Sequence, residues 1–115
     1  KIVLNTGYTS EIAHQLLSKL NWKETIHFDA LITADDVSES RPSPEMIHLA
    51  MKKFNITEAG KVLKAGDSVI DIEEGKNAGC GLTIAVLSGA QSREELARAA
   101  PDYILNTISE AEGIL

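Results

Sequence analysis

Short apolar runs, each closed by glycine or polar residues and followed by a helical period, constrain this chain more than any other feature. Ile2-Val3-Leu4, Ala30-Leu31-Ile32-Thr33, Lys61-Val62-Leu63-Lys64-Ala65, Leu82 to Leu87 and Asp102-Tyr103-Ile104-Leu105 all have strand length. Helical signals fall between them. Thr9 or Ser10 caps a helix whose inner face is expected to carry Ile12, Leu16 and Leu20, with Ala13 and Leu17. Ser43-Pro44 opens a second helix, with Ile47, Ala50, Met51 and Phe54 at core spacing. A third carries Ile70, Ile72 and Glu73 and stops around Ala78-Gly79. Ser92-Arg93-Glu94-Glu95 is a capping box, and Ser109-Glu110-Ala111-Glu112 predicts a terminal helix.

Continuous apolar strands alternating with helices predict an α/β fold: a three-layer, Rossmann-like parallel sheet with helices on both faces. Ligands of such sheets bind beyond the carboxyl ends of the strands. The polar clusters of this sequence all fall at such ends.

Composition narrows the function classes. With 11 Lys and Arg against 17 Asp and Glu, the net charge of −6 argues against a nucleic-acid partner, which calls for a basic face. A local cationic pocket for a small phosphate stays compatible with it. No apolar run approaches the ~20 residues of a membrane span, and no secretory leader is expected, since Lys1-Ile2-Val3-Leu4-Asn5 reaches a turn too soon. Cys80 is the single cysteine, which fits a reducing, cytoplasmic setting.

Three clusters could carry chemistry. In Asn5-Thr6-Gly7 a strand-end hydroxyl can donate to a phosphoryl oxygen, and the glycine lets backbone N–H groups approach an anion; a plain helix-entry turn has the same form. In Arg41-Pro42-Ser43-Pro44 two prolines stiffen the loop that bears an arginine, suited to bidentate pairing with phosphate or carboxylate, or to a surface turn. Gly66-Asp67-Ser68-Val69-Ile70-Asp71 sets one carboxylate at a strand end and another a helical turn deeper. Mg²⁺ prefers few hard carboxylates plus water and substrate oxygens, which suits this pair. The plain alternative makes Asp67 a helix cap and leaves Asp71 solvated, although Ile70 and Ile72 weigh against full exposure of Asp71.

Together, in this order and at this spacing, the clusters resemble the later motifs of the haloacid dehalogenase superfamily. Asn5-Thr6-Gly7 resembles its second motif, Arg41-Pro42-Ser43-Pro44 its third and Gly66 to Asp71 its fourth. The stretch Gly66 to Gly79 is the most specific. Arg rather than Lys at position 41, and Leu87-Ser88-Gly89-Ala90, look most like the phosphonatase-like branch, with phosphoglycolate-phosphatase-type enzymes close by. The resemblance covers essentially the whole chain.

It implies hydrolysis of a small phosphate ester or phosphonate through an aspartyl-phosphate. Thr6, Gly7 and Arg41 would bind the phosphoryl group, Arg41 and Asp71 would serve catalysis, and Asp67 and Asp71 would hold Mg²⁺, Asp71 through water or by orienting Arg41. The superfamily's first motif, an Asp-x-Asp after the first strand, has no counterpart in residues 1–115; Asp35-Asp36 comes after the second motif and cannot replace it. The expectation is therefore a partial core domain over 1–115, with the first strand and cap domain missing and no turnover by itself. The missing strand would lie at the sheet centre, so a gap, a rearranged pairing or a swap with a missing N-terminal segment or second chain is expected. The competing readings are a non-catalytic or split-protein chain that binds a partner, and a receiver-type signalling domain, in which the Arg41 loop has no place.

His14, His27, His48 and Cys80 lack companions at metal or nucleophile spacing. Trp22 is expected to close the core after the first helix.

Overall fold

A computed structural model describes residues 1–115, which divide into two compact units, Lys1–Thr57 and Glu58–Leu115. The strands are parallel throughout, as expected, and form two sheets rather than one.

In the first unit β1 (Val3–Asn5) pairs with β2 (Ala30–Ile32), Asn5 standing opposite Ile32. The ladder runs on past β1, because the Thr6 N–H donates to the Ile32 carbonyl at 3.0 Å. Between them lies α1 (Ser10–Leu20), capped by Thr9, whose hydroxyl accepts from the Ile12 N–H at 3.4 Å. Asn21 closes α1 in the left-handed region at φ 56°, a conformation asparagine tolerates. α2 (Glu45–Lys53) packs on both strands. It begins at Glu45, later than Ser43-Pro44 suggested; Pro44 takes the cap position, and the Ser43 hydroxyl accepts from the Glu45 N–H at 3.3 Å.

The core of this unit is Ala13, Phe28, Ala30, Ile32, Met46 and Ile47. The expected inner face of α1 is corrected. Ala13 is buried and Leu17 half-buried, while Ile12, Leu16 and Leu20 are exposed by 44%, 42% and 59%. Helical spacing defines an apolar stripe but not what covers it. Trp22 does not close a core either: it is 45% exposed and stacks on the His27 ring, centroids 6.5 Å apart.

In the second unit the sheet order is β3 (Leu63–Gly66), β4 (Leu82–Val86), β5 (Tyr103–Leu105). β4 is central, and its alternation supplies both faces of the sheet. Ala85 packs with Ile72 of α3 (Val69–Ala78) and Leu96 of α4 (Arg93–Ala97). Ile84 and Val86 pack on the other side with Ala111. The C-terminal segment Ile108–Gly113 is a 3₁₀ turn with Thr107 at its cap position, in place of the helix expected from Ser109.

Gly79 ends α3 at φ 79°, a left-handed position that favours glycine. The Ser92–Glu95 capping box forms as the sequence indicates. No helix is long and apolar enough to cross a membrane.

Candidate active site

The structure gathers the candidate residues into two sets, one in each unit. In the first, Thr6 and Gly7 follow the carboxyl end of β1. The Thr6 hydroxyl accepts from the Tyr8 N–H at 3.1 Å, a local turn bond that fixes where the oxygen stands. Gly7 is exposed and does not have a left-handed backbone, so conformation does not require glycine there. Packing does not require it either: an added methyl would stand 3.7 Å from Ser40 Oγ and 4.0 Å from Arg41 Nε, ordinary contact distances. Gly7 is thus an exposed piece of backbone with Arg41 Nε 4.0 Å from the place of a Cβ, and backbone N–H groups beside a guanidinium are chemistry that suits an anion. A hollow of about 310 Å³ elsewhere in this unit is lined by His14, Leu17, Trp22, Phe28 and Leu31, and Thr6, Gly7 and Arg41 lie outside it.

The loop to Arg41 is held by its own short bonds. The Ser43 N–H donates to the Ser40 carbonyl at 3.1 Å, and Pro42 and Pro44 each fix φ. The Arg41–Pro42 peptide bond is cis.

In the second unit Asp67 and Asp71 flank the start of α3. The cap of that helix is Ser68, not Asp67. Its hydroxyl accepts from the Asp71 N–H at 3.3 Å, and Asp71 Oδ2 accepts from the Ser68 N–H at 3.1 Å and hydroxyl at 2.9 Å. This reciprocal capping box holds Asp71 at 5% exposure, so it is not solvated. Its second oxygen, Oδ1, lies 3.6 Å from Lys64 Nζ on β3.

Asp67 is exposed at the strand end. A Cβ on Gly89 would overlap the Asp67 carboxylate, so glycine at 89 gives Asp67 its room. The same turn contributes Gln91, whose side-chain oxygen accepts from the Val69 N–H at 2.6 Å and takes up an amide at the start of α3.

No group of three or more His, Cys, Asp or Glu side chains converges on one point. Mg²⁺ takes only one or two carboxylates with water and substrate oxygens, so this donor set is chemically compatible with it. Asp67 suits an open ligand. Asp71, with both oxygens engaged inside the protein, suits a supporting position.

Sequence reasoning overlooked three charged residues: Lys64, Glu74 and Glu45. Lys64 is 8% exposed and its Nζ stands 3.1 Å from Oε1 of the wholly buried Glu74. A lysine inside an otherwise apolar strand, directly before the acidic cluster, is the signal that could have pointed to this pair. Glu45 had a weaker signal, a carboxylate directly after Pro44.

Comparisons with known proteins identify the family and the fold. Residues 1–86 match the family described as haloacid dehalogenase-like hydrolase. The phosphonoacetaldehyde hydrolase of Latilactobacillus sakei subsp. sakei is 33% identical over 136 aligned residues, 99% of this chain and 51% of that protein. The pyrophosphatase PpaX of Listeria welshimeri is 36% identical over 88 residues, 76% of this chain and 40% of that protein. The chain thus spans about half the length, or less, of these relatives. Among solved structures, a phosphonoacetaldehyde hydrolase-like protein from Oleispira antarctica superposes with a TM-score of 0.82 at 22% identity, over 99% of this chain and 49% of that one. A hydrolase from Pseudomonas syringae gives 0.80 at 24%, over 95% and 49%. These two show the Rossmann-like fold, and the family match over residues 1–86 shows the lineage: the chain belongs to the haloacid dehalogenase-like hydrolase family.

Proposed function

We propose that residues 1–115 supply the phosphate-holding and cation-holding side chains of a Mg²⁺-dependent hydrolase of small phosphate esters or phosphonates, working through an aspartyl-phosphate. The observation that carries the reading is that Arg41 Nε stands 4.0 Å from the Cβ position of Gly7, next to Thr6 at the carboxyl end of β1. The names of the relatives support the substrate class, since phosphonoacetaldehyde hydrolase and pyrophosphatase both cleave a bond to phosphorus.

In this reading Gly7 admits the phosphoryl oxygens to backbone N–H groups, the Thr6 hydroxyl donates to one of them, and Arg41 offsets charge as it builds on phosphorus. Asp67 is the metal ligand, and Asp71 supports the site from within its capping box. Mg²⁺, when bound, offsets the repulsion between an anionic nucleophile and an anionic substrate. None of these residues is the nucleophile in this reading. The nucleophilic Asp belongs to a segment other than 1–115, a partial core domain in this reading, and these residues alone are expected to show no turnover.

A chimera tests this. The part of the Latilactobacillus sakei enzyme that this chain does not match is joined to residues 1–115 and assayed with phosphonoacetaldehyde and p-nitrophenyl phosphate. Hydrolysis that needs Mg²⁺ and is lost in Arg41→Ala and Asp67→Asn is the expected result. Folded chimera inactive on both substrates, or turnover by residues 1–115 alone, would overturn the proposal.

A further inference from the structure

Glu45 is the first residue of α2, yet its carboxylate serves residues outside the helix. Oε1 accepts from the Ser38 N–H at 3.2 Å and the Ser38 hydroxyl at 3.0 Å. Oε2 accepts from the same hydroxyl at 3.1 Å and from the Glu39 N–H at 2.7 Å. These bonds reach back six and seven residues and close the chain from Ser38 to Glu45 into a ring, with Arg41 inside it.

An ordinary capping carboxylate would turn back to the amide at the helix cap. Here Pro44 fills that position and has no N–H to offer. Two more bonds brace the ring: Ser43 N–H to the Ser40 carbonyl at 3.1 Å, and Glu45 N–H to the Ser43 hydroxyl at 3.3 Å. Ser40 and Arg41 are the members of the ring that stand beside Gly7.

We infer that Glu45 is a positioning residue for Arg41: its carboxylate pins the Ser38–Glu39 backbone and so fixes the loop from which Arg41 reaches Gly7. The assignment rests on Arg41 as the phosphate-facing cation of the proposed function. The physical logic is preorganisation. An arginine on a loose loop must be ordered when the anion arrives, whereas one on a closed ring is already in place. The backbone N–H of Glu39, then that of Ser38, holds the Glu45 carboxyl below its ordinary value, so it stays ionised as this duty requires.

The test uses Glu45→Ala and Glu45→Gln, the second keeping size and one acceptor oxygen should the first fold poorly. Their partners are Arg41→Ala and the Arg41→Ala/Glu45→Ala double variant. Nitrogen-15 relaxation at Arg41 Nε is measured on the wild type and both Glu45 variants, and amide exchange at Ser38 and Glu39 and titration with inorganic phosphate on every protein. In both Glu45 variants the Ser38 and Glu39 amides are expected to exchange roughly tenfold faster and Arg41 Nε to become mobile, while α2 amides keep their protection. Phosphate affinity is expected to fall by roughly threefold to tenfold, and the double variant to bind no more weakly than Arg41→Ala alone.

An Arg41 side chain as ordered in both Glu45 variants as in the wild type would overturn the inference. So would a double variant whose loss is the product of the two single losses, since Glu45 would then act without Arg41. If the wild type binds no phosphate, the proposed function fails while the Arg41 relaxation data still decide what Glu45 does.

Discussion

Lys64 Nζ stands 3.1 Å from Glu74 Oε1, an ion pair between the middle of β3 and the inner face of α3, with the glutamate at 0% exposure. Asp71 shares the same ammonium at 3.6 Å, so one buried cation serves two carboxylates. Removing a single partner from such a cluster leaves a charge in the interior without its counter-ion, which costs about 3–5 kcal/mol. Lys64→Met removes the shared counter-ion of two carboxylates; Glu74→Gln leaves Lys64 paired with Asp71. Urea denaturation is therefore expected to place Lys64→Met well below Glu74→Gln. Equal midpoints would show that the cluster does not act as one unit.

Gly75 and Gly60 form a natural pair of opposites. A Cβ on Gly75 would meet Lys64 Cβ at 2.8 Å and Thr83 Cγ2 at 2.9 Å, closer than real side chains pack, because α3 is pressed against β3 and β4 there. Gly75→Ala gains helix propensity of about 1 kcal/mol. It also overpacks a tight layer, which typically costs about 1–3 kcal/mol and takes the larger share. Around Gly60 nothing lies within 4 Å of an added Cβ, and its φ is not left-handed, so Gly60→Ala is expected to stabilise by roughly 0.4–1 kcal/mol through the unfolded chain. Thermal midpoints moving in opposite directions check both.

How far the sequence could be read depends on how local each signal was. Strand positions, parallel pairing and the Ser92 capping box follow from runs and spacings within about ten residues, and the structure has them. The three polar clusters were visible as motifs, since each is short and contiguous, but the Arg41 loop lies nine residues beyond the end of β2 rather than at it. The capping role of Ser68 was not separated from the acidic motif, because Ser68-Val69-Ile70-Asp71 encodes both at once. What stayed hidden depends on residues distant in sequence: Lys64 with Glu74, Gly89 making room for Asp67, and Glu45 reaching back across two prolines. The division of the strands between two sheets was equally beyond a local pattern.

The outer stripe of α1 shows the same limit and gives a third prediction. Ile12, Leu16 and Leu20 recur at helical spacing yet are solvent-facing, whereas Ala13 is 4% exposed. Replacing all three with Gln is expected to change stability by less than roughly 0.5 kcal/mol per site, as for surface positions in general. It is also expected to reduce self-association at high concentration by breaking an exposed apolar strip. Sedimentation velocity and urea midpoints test the two parts. A large stability loss would mean that the stripe is covered in solution.

Cys80 follows α3 beyond Gly79 and reports on the buried charges. Burial, the dominant effect, raises its thiol above the ordinary value of 9.0; Lys64 pulls it down and Glu74 pushes it up. A thiol raised in the folded state contributes stability that is fully present below the unfolded value. That stability is lost as pH rises from about 9 toward the higher folded value. Alkylation by iodoacetamide is expected to be slow at pH 8 and to rise with a midpoint above that of free cysteine. The signs of the two neighbouring charges then set the direction of each variant. Lys64→Met should move the midpoint further up, and Glu74→Gln should move it down. If both variants shifted it the same way, altered burial rather than the Lys64–Glu74 charges would govern Cys80.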